Sequence, residues 1–302
     1  MKKLIILLLT ILIFSCKQEN KKIAVEQNLT LEKDKKESVI VDSAMVVSAK
    51  EEASKIGIQI LKKGGNAFDA MVATELALAV SFPVAGNIAG GGFMIYRTKE
   101  GEIGALDYRE KAPIRSSRNM YLDENGDFTS NKSKVGALAV GVPGTIAGIF
   151  AVHKKLGSLP IEQIIAPVIA LAINGYLVTE QQAKRITYFK ESFLKTNNSE
   201  SLYTKEYKTG DTIKNIALAN TLKRISENGR SEFYQGETGK AMVHFLQSKN
   251  GIITMEDLNA YEAEWRRPIV FNYKDLRIIS MSPPSSGGIC LAQILKFIEP
   301  YP

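Results

Sequence analysis

One helix constrains this chain more than any other segment. Asn66 is a plausible N-cap, and the residues after it, Ala67 to Ser81, are Ala, Leu, Met and Val over most of the helical circumference, up to Pro83. A helix that is apolar nearly all round has no face to offer to water, so it must be buried. A chain of 302 residues with 45% hydrophobic content can bury a core of that size, as one large domain or part of one.

The segment after that helix sets up a candidate site. Gly90-Gly91-Gly92 forms a bend. Two strand-like runs, Phe93–Arg97 and Gly104–Tyr108, are joined by Lys99-Glu100-Gly101-Glu102 as a hairpin, and the second ends in Asp107-Tyr108-Arg109-Glu110 before Ala112-Pro113. The knot therefore lies at a strand rim, where binding residues are often carried by a rigid support. Arg109 is the candidate ligand-binding residue, because a guanidinium takes a carboxylate by two parallel hydrogen bonds. Asp107 and Glu110 are expected to orient it from opposite sides.

The rest of the pattern is mixed. Met45–Ser48 reads as a β-like run. A helix with apolar positions Ala53, Ile56, Ile60 and Leu61 stops at Gly64-Gly65. Helices are predicted at Gly144–Leu156, Ile161–Asn174, Ile216–Asn228 and Glu237–Asn250, with a helical turn at Met255–Tyr261 and a last helix at Gly288–Ile298. Ile269–Tyr273 and Arg277–Ser280 alternate as strands. The class is α/β, without the regular βαβ alternation of a doubly wound sheet.

The N-terminus reads as a targeting segment. Lys2 and Lys3 precede an apolar run from Leu4 to Phe14, then Ser15-Cys16. That run is too short for a transmembrane helix of about 20 residues. Ile13-Phe14-Ser15-Cys16 resembles a bacterial lipobox, so residues 1–16 are expected to be a lipoprotein signal with lipid on Cys16. Residues 17–42, rich in Lys, Glu, Gln and Asn, are expected to be a flexible tether, and residues 43–302 the folded domain. The expected location is exported and membrane-anchored through the lipid, periplasmic or at the cell surface.

Several chemistries are disfavoured. The net charge of +7 comes from scattered lysines concentrated in the tail, without a DNA or RNA recognition signature, so no nucleic-acid partner is expected. Two histidines, His153 and His244, are too few for an ordinary zinc site. Cys290, in Ile289-Cys290-Leu291-Ala292, is expected to be a buried hydrophobe. Gly90–Gly92 is no dinucleotide fingerprint, since a helix precedes it and a strand comes after. Gly236-Glu-Thr-Gly239-Lys240 has the wrong spacing for a phosphate loop. The hydroxyl of Thr145 suits a helix start better than a nucleophile. Ser285-Ser286-Gly287-Gly288 is first a turn, although its amides ahead of a helix could bind an anion.

Six ordered blocks resemble the γ-glutamyltranspeptidase (glutathione hydrolase) family. They are Gly64–Pro113, Gly141-Val-Pro-Gly-Thr-Ile-Ala-Gly148, Leu159-Pro-Ile-Glu-Gln-Ile-Ile-Ala-Pro167, Phe233-Tyr-Gln-Gly236, Gly251-Ile-Ile-Thr-Met-Glu-Asp-Leu258 and Ser282-Pro-Pro-Ser-Ser-Gly-Gly288. The resemblance implies the N-terminal-nucleophile hydrolase fold, an αββα sandwich, with this chain supplying the large-subunit part, incomplete at the C-terminus. It implies that Arg109 binds the α-carboxylate of a γ-glutamyl group. It implies acyl transfer from glutathione and related γ-glutamyl amides to water or an amino acid or peptide. The attacking group would be a threonine freed by self-cleavage, with its own α-amine as base, and no metal or organic cofactor is implied.

The family nucleophile lies in a Thr-Thr-His-like segment, and the 302 residues hold no Thr-Thr pair. No catalytic residue is therefore assigned within the chain. It is expected to be an N-terminal precursor fragment, inactive alone, whose partner is the C-terminal small subunit. Two alternatives stand beside this expectation: an acylase of the same superfamily for cephalosporin-type side-chain amides, and a non-catalytic, truncated binding lipoprotein.

Overall fold

The computed structural model describes residues 39–197 and 199–301. The signal segment, Cys16 and most of the expected tether lie outside the described residues. Contacts divide the chain after Ala44, and the second unit, Met45–Pro302, contains every element below.

Helix α1 (Glu51–Lys62) is followed by α2 (Ala67–Ser81), the apolar helix. Ten of the fifteen residues of α2 are buried. Asn66 and Asp69 open it with a reciprocal cap. The Asn66 side-chain oxygen accepts from the Phe68 and Asp69 amides at 2.9 and 3.0 Å, and Asp69 Oδ2 accepts from the Asn66 amide at 2.9 Å. The same pair reaches across the fold. Asp69 also accepts from the Ser158 amide (3.0 Å) and hydroxyl (2.5 Å), and Asn66 Nδ2 donates to the Leu156 carbonyl at 2.7 Å. Asp69 is thus buried with its charge fully used, as a buried carboxylate must be.

Those bonds tie α2 to the end of α3 (Thr145–Leu156) and the start of α4 (Ile161–Asn174). Strands β1 (Phe93–Arg97) and β2 (Ile103–Asp107) form an antiparallel hairpin in the register Phe93↔Asp107 to Arg97↔Ile103. Short strands β3 (Tyr176–Leu177) and β4 (Thr212–Ile213) pair with each other around α5 (Glu180–Asn197). Helices α6 (Ile216–Asn228), α7 (Arg230–Tyr234), α8 (Glu237–Ser248) and α9 (Met255–Ala260) come next. Strand β5 (Glu264–Arg266) then joins the free edge of β2, giving the order β1-β2-β5. A separate hairpin, β6 (Ile269–Tyr273) with β7 (Leu276–Ser280), leads into α10 (Gly287–Ile298).

Two expectations are corrected, and one helix is added. Met45–Ser48 is not a strand: no strand pairs with it, and Val46 packs against the core instead. Cys290 is exposed rather than buried, because it sits on a face of α10 that nothing in the described residues covers. Ile289, Leu291, Ile294, Phe297 and Ile298 of the same helix are exposed with it. Helix α5 was not predicted; none of its residues is fully buried, although Ala183 and Ile186 pack against the core. None of the described helices is long and apolar enough to cross a membrane.

Candidate substrate-binding site around Arg109

Strand β2 ends at Asp107, and the next three residues leave the sheet at its rim. Tyr108 turns inward and is buried, whereas Arg109 and Glu110 are exposed. The Tyr108 main chain stays paired: its amide donates to the Gly92 carbonyl at 3.0 Å, and its carbonyl accepts from the Gly92 amide at 3.2 Å. Its hydroxyl donates to Glu75 Oε2 on α2 at 3.1 Å. Burial pushes the Glu75 carboxyl up to about 7, with the Tyr108 bond opposing the shift. Burial also pushes the Tyr108 phenol up, reinforced by the Glu75 charge.

The Gly-rich bend explains how this segment is approached so closely. A Cβ on Gly91 would lie 2.6 Å from the Tyr108 carbonyl oxygen and 2.7 Å from the Glu110 amide, closer than real side chains sit. Glycine is required there by main-chain packing. On the other side stands the block that opens α3. The Gly144 and Thr145 amides donate to the Gly90 carbonyl at 2.7 and 3.0 Å, and Lys111 and Val142 exchange amide bonds at 3.2 and 2.8 Å. A Cβ on Gly144 would collide with both the Tyr108 carbonyl and the Tyr261 hydroxyl.

Asp107 does not hold the Arg109 guanidinium, contrary to expectation. Its Oδ2 accepts from Arg266 Nε at 2.7 Å, and its Oδ1 accepts from the Arg109 backbone amide at 3.1 Å. Strand register explains this. Asp107 faces Glu264 and Ala105 faces Arg266, so Arg266 is the diagonal neighbour of Asp107 and reaches it across the sheet. Arg266 Nη2 is shared with Glu264 Oε2 at 2.8 Å. Among the described residues, neither the Arg109 guanidinium nor the Glu110 carboxylate makes an ion pair.

Tyrosines complete the support. The Tyr261 hydroxyl donates to the Arg109 carbonyl at 2.7 Å. Its ring stacks on Tyr234 with centroids 5.9 Å apart and planes 10° from parallel. The Tyr234 hydroxyl donates to the Pro143 carbonyl at 2.9 Å and accepts from the Ala147 amide at 3.2 Å. Burial pushes both phenols up, so both remain donors across the ordinary pH range.

Three of the six blocks therefore meet at Arg109 or immediately behind it: the Gly-rich hairpin, Gly141–Gly148, and Phe233–Gly236 through Tyr234. Tyr261, just beyond the block Gly251–Leu258, joins them. Leu159–Pro167 lies in and before α4, and Ser282–Gly288 runs from beyond β7 into the first turn of α10; neither takes part in this hydrogen-bonded cluster. His153 Nε2 bonds the Leu159 carbonyl at 2.8 Å, a link across the α3–α4 turn, and His244 is exposed on α8. Tyr261 and Arg266 carried no signal in the sequence, and Glu75 and Tyr234 lay inside the resembling blocks without a role assigned to them, since each acts through a long-range contact.

Solved structures place the chain as a mixed helix-and-sheet part of an N-terminal-nucleophile hydrolase fold. The Helicobacter pylori γ-glutamyltranspeptidase matches it with TM-score 0.84 at 42% identity, over 88% of this chain and 77% of that one. The Bacillus halodurans cephalosporin acylase matches with TM-score 0.68 at 27% identity, over 82% of this chain and 49% of that one. In sequence, the glutathione hydrolase proenzyme of Escherichia coli (strain K12) is 42% identical over 275 residues, 90% of this chain and 47% of the relative. The Gamma-glutamyltranspeptidase family model matches residues 53–302, and the chain belongs to that family. It spans about half the length of the curated relatives it matches.

Proposed function

We propose that this chain is the glutamyl-recognising part of a glutathione hydrolase, in which Arg109 takes the α-carboxylate of the γ-glutamyl group. The observation that carries the reading is an exposed guanidinium with no ion pair among the described residues, on a main chain fixed by buried neighbours. A carboxylate placed there gains a charge-assisted pair without displacing an internal partner. Asp107 cannot compete for the guanidinium, because Arg266 holds it.

The chemical step is proposed to come from a threonine in the half of the relatives' length that this chain does not span. Self-cleavage would free its α-amine, whose pKa of about 8 suits a base near neutrality. The hydroxyl attacks the γ-glutamyl amide, the amine leaves with a proton, and water or an amino acid takes the acyl group. On this reading the small subunit is the obligate partner, no cofactor enters, and this chain alone is inactive. Domain limits follow the sequence: signal 1–16, tether 17–42, and folded part 43–302. Export and lipid anchoring at Cys16 complete the proposal.

An acylase for other side-chain amides is the second reading, favoured by the match to the cephalosporin acylase. The Asp107-Tyr108-Arg109-Glu110 rim favours an α-amino acid donor over it. The test is Arg109→Ala in the full-length protein. The kcat/KM for γ-glutamyl p-nitroanilide is expected to fall by one to two powers of ten, since a charge-assisted hydrogen bond is worth roughly 1.5–3 kcal/mol. Wild-type kinetics in a properly cleaved variant would sink the assignment.

A further inference from the structure

Arg109 has an exposed side chain but a main chain held like that of a core residue. Its amide donates to Asp107 Oδ1 at 3.1 Å, and its carbonyl accepts from the Tyr261 hydroxyl at 2.7 Å. Tyr261 is 2% exposed, immediately follows α9, and is fixed on three sides. Tyr234 stacks on its ring, Lys111 Nζ lies 5.2 Å from its centroid, and Gly144 leaves just enough room for its hydroxyl. Burial of the ring would be served equally by phenylalanine. The hydroxyl is different: it must find a partner once buried, and the partner it finds is the Arg109 carbonyl.

We propose that Tyr261 is a positioning residue for Arg109, its hydroxyl fixing the Arg109 peptide so that the guanidinium meets the substrate α-carboxylate in bidentate register. This rests on the reading of Arg109 given above. The geometry makes the effect sensitive. On a side-chain arm of about 6 Å, a tilt of about 10° moves the guanidinium by about 1 Å, enough to spoil a paired contact. The α-carboxylate is bound alike before and during acyl transfer, so the loss should appear in KM rather than kcat.

The test compares two donors in the full-length protein. γ-Glutamyl p-nitroanilide carries the α-carboxylate; 4-aminobutyryl p-nitroanilide keeps the amine and lacks it. Tyr261→Phe is expected to raise KM for the first about fivefold, the value of one neutral hydrogen bond, with kcat unchanged. The second donor should be unaffected, so selectivity falls by the same factor. Arg109→Ala should remove most of that selectivity, and adding Tyr261→Phe to it should cost nothing further. If Tyr261→Phe matures poorly, calorimetric binding of glutamate against 4-aminobutyrate to the uncleaved protein gives the same contrast. An equal loss for both ligands would show a merely structural tyrosine and overturn the proposal, as would unchanged selectivity. Selectivity that survives Arg109→Ala would overturn the Arg109 reading and this one together, whereas its loss there beside wild-type behaviour in Tyr261→Phe overturns this one alone.

Discussion

Asp107→Asn is the sharpest test of how the rim is held. The substitution keeps the shape and one acceptor, so the Arg109 amide can still be met. It turns the other oxygen, 2.7 Å from Arg266 Nε, into an amide donor facing a donor. Losing a charge-assisted bond costs roughly 1.5–3 kcal/mol. Arg266 is 31% exposed at its side chain, so part of its stranded charge is rehydrated, and the expected loss is near the lower end, about 2 kcal/mol. With a urea slope of about 3 kcal/mol/M, that moves the unfolding midpoint down by roughly 0.7 M. A double-mutant cycle with Arg266→Gln isolates the pair, and a coupling of about 1–2 kcal/mol is expected. Additive effects of the two substitutions, or an unmoved midpoint in Asp107→Asn, would refute the claim that this ion pair fixes the strand end.

Three further outcomes are expected. Asp69→Ala should destabilise the protein by about 2–4 kcal/mol, read from thermal or urea unfolding, since it removes both the α2 cap and the bonds to Ser158. Glu75 has a folded-state pKa raised from 4.5 to about 7, so its stabilising contribution is complete below about pH 4.5 and is lost as pH rises through about 7. Glu75→Gln should therefore flatten the stability–pH curve in that window and leave the variant more stable than wild type at pH 8. Cys16→Ser should release the protein from membranes and abolish incorporation of labelled fatty acid, as fractionation and metabolic labelling would show.

Legibility in the sequence tracked the range of the interaction. Asn66 and Asp69 cap α2 within one turn, so its start could be read directly, and Ile161–Asn174 and Ile216–Asn228 kept their predicted limits because Pro160, Gly175 and Gly229 punctuate them. The first hairpin announced itself by Gly101 and by apolar runs on both sides. Strand β5, only three residues long with a charge at each end, exists because β2 has an edge to fill, and nothing local marks it. Arg109 was legible as a candidate because it ends a strand. Its main-chain supports were not, since Tyr261 lies 152 residues away and Arg266 farther still. The charges flanking Arg109 suggested an intimate triad, but the pleat and register gave Asp107 to a different arginine.

The seam between Gly91, Tyr108 and Gly144 has a consequence for how this rim can change over generations. Side chains that touch a ligand can be exchanged one at a time, trading one specificity for another. A seam of main chain has no such intermediate steps, because any added carbon at Gly91 or Gly144 displaces the backbone from which Arg109 projects. If Arg109 selects the donor as proposed, substitutions at either glycine should damage that selection as loss of the arginine does. The position of the arginine is thereby tied to the packing of the main chain behind it.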